Sequence, residues 1–113
     1  MTGFLYHMAR CSEWEQAEAA GSYTGSADDR RDGFIHFSTA EHVVESASRH
    51  RAGQPDILLV VVVEDATGPW RWETARSGAL FPHLYGSLPM KAVVAVHELP
   101  LGADGRHIFP PLV

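Results

Sequence analysis

The sequence predicts one small α+β domain, and two features of the chain lead to that prediction. Its 113 residues suffice for one hydrophobic core, and this length is typical of a single domain. Short apolar segments that suit strands alternate with segments that begin like helices, and a content of 45% hydrophobic and 20% charged residues is typical of a globular chain. We therefore expect residues 1–113 to form a single domain whose core lies within about 4–99.

The first predicted elements are a strand and a capped helix. The uncharged run 4–9 suits a short buried strand. Ser12 and Glu15 have the capping-box spacing, in which each side chain bonds the other's free backbone N–H group. We expect a helix that begins at Ser12 and ends at Gly21, followed by a polar loop over residues 22–31.

A second strand and a second capped helix follow the same order. Residues 34–37 predict a strand, and Ser38 with Glu41 repeats the capping-box spacing. The helix is expected to end before Gly53 and to bury one face, made of Val43, Val44 and Ala47.

The second half of the chain is predicted to supply the main strands. The run 57–63 is apolar at every position, which predicts a central strand covered on both sides. Residues 70–73 and 91–99 predict two further strands. Residues 80–89, rich in Pro and Gly, predict a loop that presents side chains, whereas residues 100–113 indicate no element.

Charge and cysteine content exclude several classes of protein. A formal net charge of −5 with scattered basic residues argues against broad nucleic-acid binding. The single Cys11 excludes an internal disulfide, and we expect it to be a structural thiol. Without a secretory pattern or an apolar run of about 18 residues, we expect a cytoplasmic protein with no membrane segment. The sequence does not indicate the oligomeric state of the protein.

The candidate site residues come first from the histidines, of which the chain has seven. His7 and His36 each occupy an apolar strand just before a helix start, where free N–H groups favour an anion such as a phosphate. His83, with Tyr85 close by, lies in the constrained segment FPHLYGSLP. We expect these three histidines to line one cleft, and we expect the remaining ones, His42, His50, His97 and His107, to be surface residues.

Other residues near these histidines complete the candidate set. Trp72 and Glu73 offer a stacking surface and a carboxylate, although Trp in a short strand is more often a core residue. Ser38 and Thr39 lie at the predicted helix start, where capping alone accounts for their residue types.

The segments FLYHMA, SEWE, GFIHFST, the WE pair and FPHLYGSLP together resemble the bacterial domain-of-unknown-function 952 (DUF952) family, over residues 4–99. The resemblance implies a compact α+β fold similar to the ADP-ribosyltransferase superfamily, with two short capped helices and two small sheets that form an NAD-binding cleft. His7 and His36 match the superfamily positions that contact NAD on the first strand and near the nicotinamide. The segment that begins at His83 occupies the place where a catalytic glutamate is usual.

The residues and the resemblance together support one main hypothesis and two alternatives. The main hypothesis is an enzyme that binds NAD or a related nucleotide without a metal and transfers ADP-ribose or processes a phosphate. Its catalytic residues are His36, His83 and Tyr85, and its ligand-binding residues are His7, Ser38, Thr39, Trp72 and Glu73. The first alternative is a non-catalytic domain that binds a nucleotide or small anion. The second is a metal-dependent hydrolase that uses His7, His36 and His83.

Overall fold

The computed structural model describes residues 3–112. Within that range the α-helices are α1 (Cys11–Ala20), α2 (Ala27–Asp32) and α3 (Val43–His50). The strands are β1 (Phe4–Arg10), β2 (Ser22–Tyr23), β3 (Ile35–His36), β4 (Ile57–Val63), β5 (Trp70–Thr74), β6 (Leu80–Leu84), β7 (Leu88–Pro89) and β8 (Val93–Glu98). Short 3-10 turns follow β4 at Glu64–Ala66 and precede β8 at Met90–Ala92. The chain is thus an α+β protein, as predicted.

The first sheet is antiparallel, with strand order β1-β4-β8. Strand β4 lies in the centre, and its residues Leu59, Val60 and Val62 are fully buried. Because side chains alternate across a strand, Val60 and Val62 join one apolar cluster, whereas Leu59 and Val61 join another on the opposite face. The prediction of a central, doubly covered strand at 57–63 is confirmed.

The remaining strands form a three-stranded sheet of order β3-β6-β5 and a two-stranded pair of β2 with β7. The expectation of two sheets is therefore wrong, because three small antiparallel sheets are present within residues 3–112. The segment expected as a loop over 22–31 supplies β2 and most of α2, so residues 3–112 contain three α-helices where two were expected. The segment 80–89, also expected as a loop, supplies β6 and β7. Buried Tyr23 pairs with buried Leu88 across β2 and β7, and this long-range pairing outweighs the local preference for a loop.

The predicted helix starts differ from the observed ones. Helix α1 ends at Gly21 in the left-handed conformation, as expected, but it begins at Cys11 without a side-chain cap. The Cys11 N–H donates to the Asp56 carbonyl at 2.9 Å, so a backbone group satisfies the helix start and Ser12 lies inside the helix. Likewise, α3 begins at Val43 with no side-chain cap.

Ser38 does not cap α3 because its backbone is engaged elsewhere. Its N–H donates to the Tyr6 carbonyl at 2.7 Å and its carbonyl accepts from the Tyr6 N–H at 2.8 Å. This bridge extends β1 and leaves Ser38 well before the helix. Only part of the expected buried face of α3 is correct, since Val43 and Ala47 are buried but Val44 is 48% exposed. Residue i+1 lies about 100° around a helix from residue i, and so faces away.

The C-terminal segment, for which the sequence indicated no element, covers one face of the first sheet. Phe109 and Leu112 pack against a buried cluster that contains Tyr6 and Leu59. The core contacts therefore extend past residue 99. No helix within residues 3–112 has the length and apolar character needed to cross a membrane.

Candidate functional site

The candidate site lies on one face of the β3-β6-β5 sheet and is built by strand register. His36 of β3 lies opposite His83 of β6, and His83 lies opposite Arg71 of β5. Residues directly opposite each other share a sheet face, so these three side chains form one row, here called the histidine row. The His36 and His83 rings are 5.2 Å apart between centroids.

A carboxylate lies near each ring nitrogen of His36, and the one at Nδ1 forms a hydrogen bond with the ring. Its Nδ1 lies 2.6 Å from Oδ1 of Asp29, and its Nε2 lies 3.2 Å from Oδ2 of Asp32. The His36 side chain is 43% exposed, whereas that of Asp29 is only 4% exposed. The ring therefore extends from a buried carboxylate to the surface, where a ligand can reach it.

Asp29 belongs to a capping box that the sequence reasoning missed. The Asp29 N–H donates to Ser26 Oγ at 3.2 Å, and the Ser26 N–H donates to Asp29 Oδ2 at 2.8 Å. Burial raises the pKa of the Asp29 carboxyl, but the hydrogen bond from the His36 ring and those from the backbone N–H groups of Ser26 and His36 outweigh burial and hold this pKa below its usual range. The Ser-x-x-Asp spacing of residues 26–29 was the available signal.

His83 is part of a second network, which contains Glu73 and Tyr85. Oε1 of Glu73 lies 2.7 Å from Nδ1 of His83 and accepts a hydrogen bond from the Tyr85 hydroxyl at 2.8 Å. These bonds lower the pKa of Glu73, and the bond to Glu73 raises the pKa of Tyr85. Arg71 lies over the Tyr85 ring, 4.6 Å from its centroid.

An aromatic ring joins the two networks. Phe34 stacks on His83 with centroids 4.1 Å apart and planes inclined by 15°. The same ring contacts His36 at 4.6 Å and Tyr85 at 5.1 Å. Phe34 was absent from the sequence-based set because its apolar side chain indicates only a strand.

His7 lies beneath the histidine row and is 3% exposed. A carbonyl can only accept, so Nδ1 of His7 donates to the His36 carbonyl, at 2.6 Å. Nε2 then accepts from the Tyr23 hydroxyl at 2.7 Å. Burial lowers the pKa of His7, which favours this neutral form. The three histidines thus lie together, but only His36 and His83 are open to a ligand, and His7 supports the strand that carries His36.

The structure does not bring Ser38, Thr39 or Trp72 to the histidine row. Ser38 is buried, with its Oγ 3.4 Å from Oγ of Ser46. The Thr39 carbonyl accepts the N–H group of the residue just before α3 and that of the first residue of α3. Trp72 alternates with Glu73 along β5 and so faces the other side of the sheet, where its Nε1 donates to Glu64 at 3.3 Å.

The alternative metal site from His7, His36 and His83 does not assemble, because both nitrogens of His7 are already engaged. Among residues 3–112, no cluster of three or more His, Cys, Asp or Glu side chains has an arrangement suited to a metal ion.

Burial, followed by the Asp56 charge, raises the pKa of the Cys11 thiol, which suits a structural residue.

Comparison with known families identifies the chain. Residues 8–96 match the family described as "Protein of unknown function (DUF952)". The chain belongs to the DUF952 family. The match begins within β1 and ends within β8, and it includes His36 and His83 with the carboxylates that contact them. Comparison with curated proteins finds no match.

Two solved structures resemble this DUF952 chain. The crystal structure of protein CC0527 from Caulobacter crescentus is 39% identical, with a TM-score of 0.88 and coverage of 93% of each chain. The solution NMR structure of CC0527 is 37% identical, with a TM-score of 0.78 and coverage of 91% of this chain and 90% of that one. Both similarities cover more than nine tenths of this chain, and so they extend over nearly all of its fold.

Proposed function

We propose that the histidine row binds NAD or a related nucleotide and that the domain acts as an ADP-ribosyltransferase-like enzyme. The observation that carries the proposal is the position of Glu73, whose carboxylate is held at the row by His83 and Tyr85. The superfamily resemblance implies a catalytic carboxylate at the NAD site. Although the segment that begins at His83 has no glutamate, the neighbouring strand β5 supplies one.

The chemistry of transfer needs a negative charge at this point. When the bond between nicotinamide and ribose breaks, nicotinamide leaves with the electron pair and positive charge develops on the ribose. An ionised carboxylate stabilises that charge, and the lowered pKa of Glu73 keeps it ionised at neutral pH. Water or an acceptor hydroxyl then bonds to the ribose carbon and loses its proton to solvent.

The rest of the row suits the nucleotide itself. Arg71 offers N–H donors for phosphate oxygens. Nε2 of His36 can accept from a ribose hydroxyl when the ring is neutral and can donate to a phosphate when the ring is protonated. Phe34 and Tyr85 offer aromatic faces for a base or for the nicotinamide ring. His83 orients Glu73, and Tyr85 donates to the same oxygen.

A second candidate is the processing of a phosphate already attached to a nucleotide or RNA. Two imidazoles and one guanidinium aligned across three strands favour it, because such groups neutralise a phosphate and move a proton near neutral pH. Glu73 would then act only by orienting His83.

The test compares the two reactions in one set of proteins. The full chain is incubated with NAD, and released nicotinamide is measured by chromatography, while binding of NAD and of ADP-ribose is measured by calorimetry. We expect release by the wild type, loss of release in Glu73→Gln with binding retained, and no change in Glu45→Gln, whose carboxylate pairs with Arg49 on the surface of α3.

The other outcomes separate the alternatives. Binding without nicotinamide release would favour the non-catalytic domain. Release of phosphate from a 2′-phosphorylated RNA, without NAD cleavage, would favour the second candidate. If neither nucleotide binds and His36→Gln changes only the melting temperature, the row is a structural feature and the proposal is wrong.

A further inference from the structure

We infer that Asp29 is a positioning residue for His36: it keeps a proton on Nδ1 of the ring and thereby leaves Nε2 as the nitrogen offered to a ligand. The catalytic meaning of this inference rests on the proposed function. The orientation itself follows from geometry alone and can be measured without a nucleotide.

The first argument is that Asp29 can only accept. An ionised carboxylate has no proton to donate, so the 2.6 Å contact requires the proton to lie on Nδ1 of His36. The same oxygen, Oδ1, also accepts the backbone N–H of His36 at 3.3 Å. One atom therefore holds both the backbone and the ring of His36, which restricts rotation of the side chain.

The second argument is that the carboxylate of Asp29 is itself fixed. Its other oxygen, Oδ2, accepts the N–H of Ser26 at 2.8 Å. Gly25, with a φ of +96°, leaves room for it, because a Cβ atom on residue 25 would lie 2.6 Å from the Cβ of Asp29 and 2.9 Å from Oδ2. The capping box of α2 thus has a second use, since it anchors the group that orients His36.

Asp32 provides a natural contrast at the other ring nitrogen. Its Oδ2 lies 3.2 Å from Nε2 of His36, but its side chain is 34% exposed. Its other oxygen pairs with the exposed Arg31 at 3.2 Å. A surface carboxylate of this kind yields readily to a ligand, whereas the buried Asp29 does not. Asp32→Asn therefore tests whether the second carboxylate contributes to the orientation of the ring, and Asp28→Asn, at an exposed carboxylate of the same helix that pairs with Arg31, is the control for binding.

The experiment measures which nitrogen of His36 carries the proton. The full chain is labelled with ¹⁵N, long-range ¹H–¹⁵N spectra are recorded at pH 8, and the His36 signals are assigned by their loss in His36→Gln. We expect Nδ1 to be protonated in the wild type, in Asp32→Asn and in Ser26→Ala, which removes the Ser26 hydroxyl but keeps Asp29. We expect Asp29→Ala to lose this preference.

The contrary results are equally defined. A wild-type His36 that is neutral with its proton on Nε2 overturns the inference, and so does an Asp29→Ala spectrum that matches the wild type. Should Asp29→Ala not fold, the wild-type spectrum still decides the question.

Calorimetry with NAD then connects the inference to the proposed function. Loss of the fixed orientation of the His36 ring predicts binding about tenfold weaker in Asp29→Ala, because the ring must then be ordered when the ligand binds. Binding in Asp28→Asn should stay within about threefold of the wild type on the same scale. If the wild type does not bind NAD, the proposed function fails, while the protonation of Nδ1 still tests Asp29.

Discussion

Oε1 of Glu73 is shared by two donors, Nδ1 of His83 at 2.7 Å and the Tyr85 hydroxyl at 2.8 Å. His83 and Glu73 belong to adjacent strands, and Tyr85 follows one of them directly. Strand pairing therefore produces a three-residue network from segments that are separated by a turn. Because both donors meet one oxygen, removal of its charge should affect both of them.

The first prediction concerns the acidity of Tyr85. The hydrogen bond to Glu73, followed by burial and the Glu73 charge, raises the pKa of this phenol. In Glu73→Gln the pKa of Tyr85 should therefore fall toward the usual value of about 10. Ultraviolet titration measures it, as the difference between each protein and the same protein with Tyr85→Phe. An unchanged pKa would show that the contact does not persist in solution.

The second prediction concerns stability in acid. The pKa of Asp29 is lower in the folded chain than the value of about 3.9 in an unfolded one. Its contribution to the free energy of unfolding is thus present above about pH 4 and is lost as the pH falls further. Asp29→Asn should lower the free energy of unfolding by about 2 kcal/mol at pH 7, and this loss should be smaller in strong acid.

Urea denaturation of both proteins between about pH 2.5 and 7 tests this dependence, with Asp28→Asn as the control. Asp28 is exposed and pairs with the exposed Arg31, so its replacement should change stability by less than about 0.5 kcal/mol. A cost for Asp29→Asn that is equal at pH 3 and pH 7 would contradict the prediction.

The third prediction concerns buried His7. His7→Leu leaves the His36 carbonyl and the Tyr23 hydroxyl without their partner and should cost about 2 kcal/mol. The pKa of His7 is lowered in the folded chain, so the stabilisation is present above the unfolded value of about 6.5 and is lost as the pH falls below it. The difference in free energy of unfolding between the wild type and His7→Leu should shrink over the same pH range.

Thermal or urea unfolding at pH 8 and pH 5.5 measures the His7 effect. His50→Leu is the control, because His50 is exposed at the end of α3. A His7→Leu protein as stable as the wild type at pH 8 would show that the buried hydrogen bonds contribute nothing net.

The fourth prediction separates the real helix cap from the expected ones. Ser26→Ala should lower the free energy of unfolding by about 1 kcal/mol, because Ser26 caps α2. Ser12→Ala should change it by less than about 0.5 kcal/mol, because Ser12 lies inside α1 without capping it. Chemical denaturation of the two variants under one condition is sufficient, and equal losses would favour a cap at Ser12.

Patterns carried by neighbouring residues were predicted well from the sequence. The apolar run of β4 indicated a doubly covered central strand, and β1 and β5 were also expected from their composition. Gly21 marked the end of α1 because a left-handed residue there favours glycine. In each case the residues that form the pattern are also the residues whose conformation it predicts.

Helix starts were predicted less well, although their patterns are also local. Three segments fit a capping pattern, at Ser12, Ser26 and Ser38, but only Ser26 uses it. The backbone of Ser38 instead pairs with Tyr6, and the N–H of Cys11 bonds to Asp56. At these two helix starts, a residue far away in the sequence supplies the hydrogen bonds of the backbone, and the serine does not cap the helix.

The sequence by itself determined part of the site, since His36, His83, Tyr85 and Glu73 were all selected from it, whereas Asp29, Phe34 and Arg71 were found only in the structure. Only the tertiary structure decided that His36, His83 and Arg71 form one row, that His7 lies beneath them and that Trp72 faces away. The physical reason is register, because a shift of one residue in a strand pair reverses the face of every side chain. That register depends on hydrogen bonds and packing between segments far apart in the sequence, such as those of His36 and His83, which are 47 residues apart, and no local pattern records it.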